Sequence, residues 1–210
     1  MLTLSALTDR PDPEVIATAV RVLRSGGVVA YATDTLYGLA VDPRLDAAVD
    51  RLFEVKGRAE QQAIPLIAAD LDQARGAGDF GEVELRLAGE FWPGPLTIVV
   101  PARPGLSPRI LSGGNTVAIR VPAHPIACAL AAAFGGPITS TSANRSGAPA
   151  PASAQELDAA LVPGIDLTID SGPAPGGAPS TIVTNSADGL QLLRAGAIAW
   201  ERVLRSATGR

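Results

Sequence analysis

Between Asp12 and Arg24 the apolar residues fall at Val15, Ile16, Ala19, Val20 and Leu23. That spacing lines one face of a helix, which Gly26-Gly27 stops. "VVAYAT" then reads as a strand ending in the polar turn "TDTLYG". Helical spacing returns from Asp46 to Lys56, at Val49, Leu52 and Phe53, and places Lys56 at a helix end beside the loop "GRAEQQA". "IPLIAA" reads as a strand and "VELRLAGEF" as a helix that "WPGP" breaks. "LTIVVPA" and "TVAIRVP" are two further strands, joined by a Gly/Pro/Ser-rich loop. A helix from Ile126 to Phe134 follows, then a strand opening at Pro137, the loop "NRSGAPAPAS" and a short helix near Gln155 to Leu161. "LTIDSG", "PSTIVT" and "LQLLRAG" read as three short strands, with "NSADG" as a hairpin connection.

Helices and strands alternate early and strands crowd together late. This order implies an α/β fold with a mixed sheet and flanking helices, not a purely doubly wound one. With 210 residues, no internal repeat and no long linker, one domain spanning 1–210 is expected. Its motif-bearing core runs from about 12 to 198, and a short helix closes the chain at about 199–206.

Composition changes the picture in three ways. The 47% hydrophobic fraction supports a folded globule, and aromatics at 4% make its core aliphatic. No apolar run approaches the roughly 20 residues a membrane helix needs, and the N-terminus lacks the pattern of an export signal, so a soluble cytoplasmic protein without membrane contact is expected. Cys128 and His124 are the only cysteine and histidine. They exclude a disulfide or a Cys/His zinc site within one chain and leave little room for a Ser/His/Asp triad. His124, between prolines at the mouth of an apolar helix, reads as a turn residue, and Cys128 as core packing.

The net charge of −4 argues against generalised attraction to nucleic acid, so phosphate binding would need a local cluster. Sixteen of the 17 basic residues are arginine, and the single lysine is Lys56. Either an arginine bias left one chance survivor, or this position needs a compact, strongly hydrated point charge.

Neither a Walker A pattern nor a GxGxxG after a strand is present. Polar stretches nevertheless lie at strand ends, where open α/β sheets build their sites. They are "TDTLYG", "KGR", "AIRVP", "TSTSAN", "PSTIV" and "LLRAG". Lys56, Arg58, Arg120, Arg145 and Arg194 supply cations there. Arg120, alternating with Ile119 and Val121 in a strand, belongs either to a structural salt bridge or to a site. Hydroxyls, an amide and guanidinium groups with few carboxylates suit anion binding better than acid/base catalysis. They point to a phosphate-containing substrate.

In combination, "TDTLYGLAVD", "VKGR" with "PLI", "WPGPLTIVV", "TVAIRVPAHP", "PITSTSANRSG", "PSTIV" and "LLRAGAI" closely resemble the YrdC-like threonylcarbamoyl-AMP synthase family, in matching order from about Val28 to Ile198. The resemblance implies a twisted open sheet around a cationic concave surface. It also implies an enzyme that joins L-threonine, bicarbonate or CO2, and ATP into threonylcarbamoyl-AMP and pyrophosphate. A tRNA-modifying transferase complex would act downstream.

The family's catalytic tetrad maps onto Lys56, Arg58, Ser142 and Asn144, which would also hold ATP together with Thr116 and Arg194. Thr35, Arg120, Ser140 and Ser180 map onto threonine-binding positions. No carboxylate cluster suggests a resident metal, so Mg2+ is expected to arrive on ATP. The chain departs from the pattern at "AEQQAI" and at Ala150, where serine is common. Any ATP contact from Ile64 or Ala150 would therefore come from the main chain. The chain resembles the short, single-domain form.

Two other readings compete. Similar domains occur in carbamoyltransferases that form carbamoyl-adenylate, though usually within larger chains. An RNA-binding or ribosome-assembly module would use the same cationic concavity, but the acidic balance leaves room for weak RNA contact at most.

Overall fold

The computed structural model describes residues 2–6, 11–57 and 63–208. The chain opens with β1 (Leu2–Ser5) and α1 (Pro13–Arg24). Asp12 caps α1 by accepting the Glu14 N–H at 2.8 Å, and proline sits in the first turn, where its missing N–H costs nothing. β2 (Val29–Ala32) and β3 (Tyr37–Ala40) form an antiparallel pair, buried along their whole length. α2 (Asp46–Lys56), β4 (Leu66–Ile67), α3 (Leu71–Arg75) and α4 (Glu82–Phe91) follow, then β5 (Leu96–Pro101) and β6 (Thr116–Arg120). α5 (Pro125–Phe134) precedes β7 (Ile138–Thr139) and β8 (Thr141–Ser142). β9 (Leu167–Asp170), the hairpin of β10 (Thr181–Ser186) and β11 (Gly189–Arg194), and α6 (Trp200–Thr208) complete the chain.

The fold is a mixed α/β one, and its strands divide between two open mixed sheets. One has the order β1-β9-β2-β3-β8, the other β11-β10-β5-β6-β4-β7. Each sheet contains parallel and antiparallel pairs. α1 and α5 pack together over one core with Tyr31, Leu167 and Ile169. A larger core gathers Leu52 and Phe53 of α2, Leu87 of α4, and Leu96, Ile98 and Ile119 of the second sheet.

The polar-rich stretch after Pro137 holds the two sheets together. β7 pairs with β4 in the second sheet and β8 with β3 in the first, so the chain changes sheets at Ser140. Ser140 donates its N–H to the Pro65 carbonyl at 2.8 Å. The fully buried Thr139 accepts the Val41 N–H on its hydroxyl at 2.8 Å and returns its own N–H to the Val41 carbonyl. A buried hydroxyl satisfied by backbone groups of the neighbouring sheet costs little and fixes the crossing.

Two local expectations change. "TDTLYG" is a turn only through Leu36, because Tyr37 and Gly38 already belong to β3. The helix near Gln155–Leu161 is replaced by 3-10 turns at Ala154–Glu156 and Val162–Gly164. There Glu156 accepts the Ala152 N–H and Asp158 accepts the Ala160 N–H, local bonds that compete with helix formation. β1 and α3 were not foreseen.

Candidate active site

Where the two sheets meet, a cavity of about 640 Å3 opens, within the size range of small-molecule sites. Sheet one contributes the turn after β2, with Thr33 and Thr35, together with Gly38 and Ser142. Sheet two contributes Leu66, Ile67, Thr97, Arg120, Ile182 and Arg194. Among the described residues its charged lining is Lys56, Arg120 and Arg194, with no carboxylate. The remaining polar lining is mostly hydroxyl: Thr33, Thr35, Tyr37, Thr97, Ser140, Thr141, Ser142, Ser146 and Ser180. In a chain of net charge −4, this is a local concentration of positive charge and hydrogen-bond donors, the requirement for holding an anion.

Lys56 is the last residue of α2, and only 3% of it is exposed. Gly57 ends the helix in the left-handed region (φ 54°), a conformation glycine adopts without a Cβ penalty. The Lys56 ammonium donates to the carbonyls of Ser142 and of Asn144, the latter at 2.7 Å. Ser142 donates its hydroxyl to Asn144 Oδ1. The Asn144 amide in turn donates to the carbonyls of Arg145 and Ala148. Lysine, serine and asparagine thus form one connected unit around a tight turn.

Arg120 ends β6 and is 7% exposed. Its Nη1 donates to Asp34 Oδ1 in an ion pair buried on both sides, while Asp34 Oδ2 has no hydrogen-bond partner among the described residues. Arg120 thus forms a buried salt bridge and also lines the cavity. Asp34 also lies near His124, whose own Nδ1 is buried and has no hydrogen-bond partner among the described residues. Burial holds the imidazole below its ordinary value, against the opposing pull of Asp34.

Arg194 ends β11 and reaches back across β10. It donates from Nε and Nη2 to the Ser180 carbonyl, at 3.1 and 2.7 Å, and from Nη2 to the Ser180 hydroxyl at 2.9 Å. That hydroxyl also meets Thr97 Oγ1 at 2.8 Å. Burial, and secondarily the like charge of Arg120, depresses the Arg194 pKa. Two guanidinium groups thus share one site, a repulsion that an anion between them relieves. On the opposite wall, Thr35 lies beside Thr33, their hydroxyls 3.1 Å apart.

Of the residues singled out in the sequence, Lys56, Ser142, Asn144, Arg194, Thr35, Arg120, Ser140, Ser180 and Ala150 all line this cavity. Arg58 lies outside the described residues. Ile64 is buried in the core with its N–H donated to the Ile110 carbonyl, while its neighbours Ala63 and Pro65 line the cavity. Thr116 stands exposed at the start of β6 and is not part of the lining. Thr33, Thr97 and Asp34 were missed. The signal for Thr97 is a hydroxyl inside the apolar strand "LTIVV". For Asp34 it is an acid within "TDT".

The Sua5/yciO/yrdC family model, described as "Telomere recombination", matches residues 21–196. The threonylcarbamoyl-AMP synthase of Bacillus subtilis (strain 168) is 40% identical over 194 residues, covering 91% of this chain and 56% of that protein. The crystal structure of P. abyssi Sua5 complexed with L-threonine superposes with a TM-score of 0.91 at 33% identity, over 99% of this chain and 60% of that one. E. coli YciO superposes with a TM-score of 0.85 at 28% identity, over 95% of this chain and 98% of its own. The chain therefore spans little more than half the length of the Bacillus and Pyrococcus relatives.

Proposed function

Because the chain belongs to the Sua5/YciO/YrdC family, we propose that it is a threonylcarbamoyl-AMP synthase. It would join L-threonine, bicarbonate or CO2, and ATP, and release pyrophosphate. The observation that carries this reading is the cavity with three cations, nine hydroxyl-bearing side chains and no carboxylate among its described lining. Such a lining is suited to two anionic substrates and to chemistry that relies on positioning.

On this reading Arg120 presents its remaining guanidinium donors to the threonine carboxylate, with one edge fixed by Asp34. Thr35, Ser140 and Ser180 surround the amine and side chain. The amine adds to CO2 and loses a proton, giving a carbamate. A carbamate oxygen then attacks the α-phosphorus, the bond to the bridging oxygen breaks, and pyrophosphate departs with that electron pair.

Lys56, Ser142 and Asn144, which line the cavity together, are assigned to the phosphates, as is Arg58 of the same motif by the resemblance. Arg194 serves the nucleotide and borders the threonine side through Ser180. The resemblance also assigns Thr116 and the main chains at Ile64 and Ala150 to the nucleotide, and of these three only Ala150 lines the cavity.

Magnesium enters as part of the substrate, on ATP. Among the described residues the cavity lining holds no carboxylate, and no group of three potential metal ligands occurs. No helix of the described residues is long and apolar enough to cross a membrane, and a cytoplasmic role supplying a tRNA-modifying transferase complex fits the proposed product.

Pyrophosphate release from pure protein with ATP, bicarbonate and single amino acids tests the reading. Release that depends on threonine supports it; release that ignores the amino acid contradicts it. Lys56→Ala is expected to act through ATP handling. Arg120→Ala should instead raise the threonine KM by roughly tenfold or more, the loss of one charge-assisted contact. Unchanged kinetics for both substrates in both variants would remove the site assignment.

A further inference from the structure

Arg145 is the one cation of "TSANRSG" to which the reading above gives no task. Its backbone is fixed: the Arg145 carbonyl accepts from the Asn144 amide and from the Ala148 N–H, both at 3.0 Å, closing a turn that Gly147 completes at φ 85°. The side chain passes close to the end of α2, with Nη2 3.8 Å from where a Cβ on Gly57 would stand. Among the described residues no carboxylate or carbonyl pairs with its guanidinium.

Beside it lies a second cavity, of about 280 Å3, lined by Lys56, Gly57, Arg145, Ser146, Ala148 and Asp158. Lys56 and Ser146 line both cavities, so the second one adjoins the first at the Lys56–Asn144 end.

We propose that this second cavity seats the departing pyrophosphate, with Arg145 as its principal ligand. The proposal rests on reading the main cavity as a nucleotidyl-transfer site. When the bond between the α-phosphorus and the bridging oxygen breaks, the leaving group carries its electron pair past Lys56. It then needs a donor that no described residue has claimed, and the planar guanidinium fork of Arg145 matches a terminal phosphate. Asp158 opposes this charge: one oxygen accepts the Ala160 N–H, and its negative charge offsets part of the attraction. The grip is thereby moderate, as suits a product that must leave.

The test is calorimetric titration of inorganic pyrophosphate, AMP and threonine into the whole protein and its variants. Arg145→Gln should weaken pyrophosphate binding roughly tenfold and leave AMP and threonine affinities unchanged. Arg145→Lys should recover part of the loss, and Asp158→Asn should tighten pyrophosphate binding severalfold. Wild-type pyrophosphate affinity in R145Q and D158N overturns the proposal, as does an equal loss for AMP. The two readings fail separately. Absence of threonine-dependent turnover in the wild type counts against the synthase assignment, whereas pyrophosphate titration reads Arg145 directly.

Discussion

Asp34 shows how one buried carboxylate tunes a site it does not line. Its ion pair with Arg120 takes up one donor of the fork and fixes the plane in which the others point. Asp34→Asn keeps the shape and removes the charge. The expected outcome is a rise of roughly tenfold in the threonine KM with the ATP KM unchanged, read by steady-state kinetics with each substrate varied.

His124 supplies a pH-dependent counterpart nearby. Its folded pKa lies below the ordinary 6.5 because burial disfavours the charged ring. The unfolded chain therefore binds a proton more readily, and this contribution to stability is complete above about pH 6.5 and is lost as pH falls below it. Thermal melts of wild type and His124→Gln from about pH 7 to pH 5 should show a steeper fall in Tm for the wild type. Parallel profiles would show that His124 does not titrate this way.

At the scale of elements, the ends of helices and strands carry the chemistry, and two glycines decide their geometry. Gly57 terminates α2 at φ 54°. Gly57→Val should cost roughly 1–2 kcal/mol and weaken ATP use with it, because Lys56 is its neighbour. Gly196 is more restrictive: a Cβ there would stand 2.3 Å from the Pro179 carbonyl oxygen and 2.5 Å from the Thr181 nitrogen. These are backbone atoms that cannot swing aside. Gly196→Ala should therefore lower Tm by several degrees, for a strain of about 1–3 kcal/mol, and impair the Arg194–Ser180 contact. Wild-type Tm and activity would show that the backbone at Pro179–Thr181 yields easily.

Elements with strong local signals were legible in the sequence. The apolar spacing that gave Asp46–Lys56 reproduces α2 residue for residue, and "NSADG" is the β10–β11 hairpin. β1 and α3, with four and five residues, are too short for periodicity to register. The helix expected near Gln155 failed because local side-chain bonds at Glu156 and Asp158 prevailed over helical propensity.

At the scale of the whole molecule, the site exists because two sheets converge on it. A sequence shows that Thr139 to Asn144 is polar; it does not show that the chain leaves one sheet and enters another at Ser140. The residue types of the site were readable, since Lys56 is the only lysine in the chain. Their partners were not. Asp34 for Arg120 and the carbonyls for Lys56 come from segments far apart in sequence, while Ser180 meets Arg194 through side-chain geometry across the β10–β11 hairpin.

On the proposed function this convergence brings threonine, a one-carbon unit and ATP together in one cavity. Mass spectrometry of the product formed with 13C-labelled bicarbonate tests it most directly. The expected product is a threonine- and ATP-dependent adenylate carrying a single labelled carbon, absent in a Lys56→Ala, Arg120→Ala double variant that still folds. An adenylate that carries no label, or none formed while ATP is consumed without regard to threonine, would contradict it.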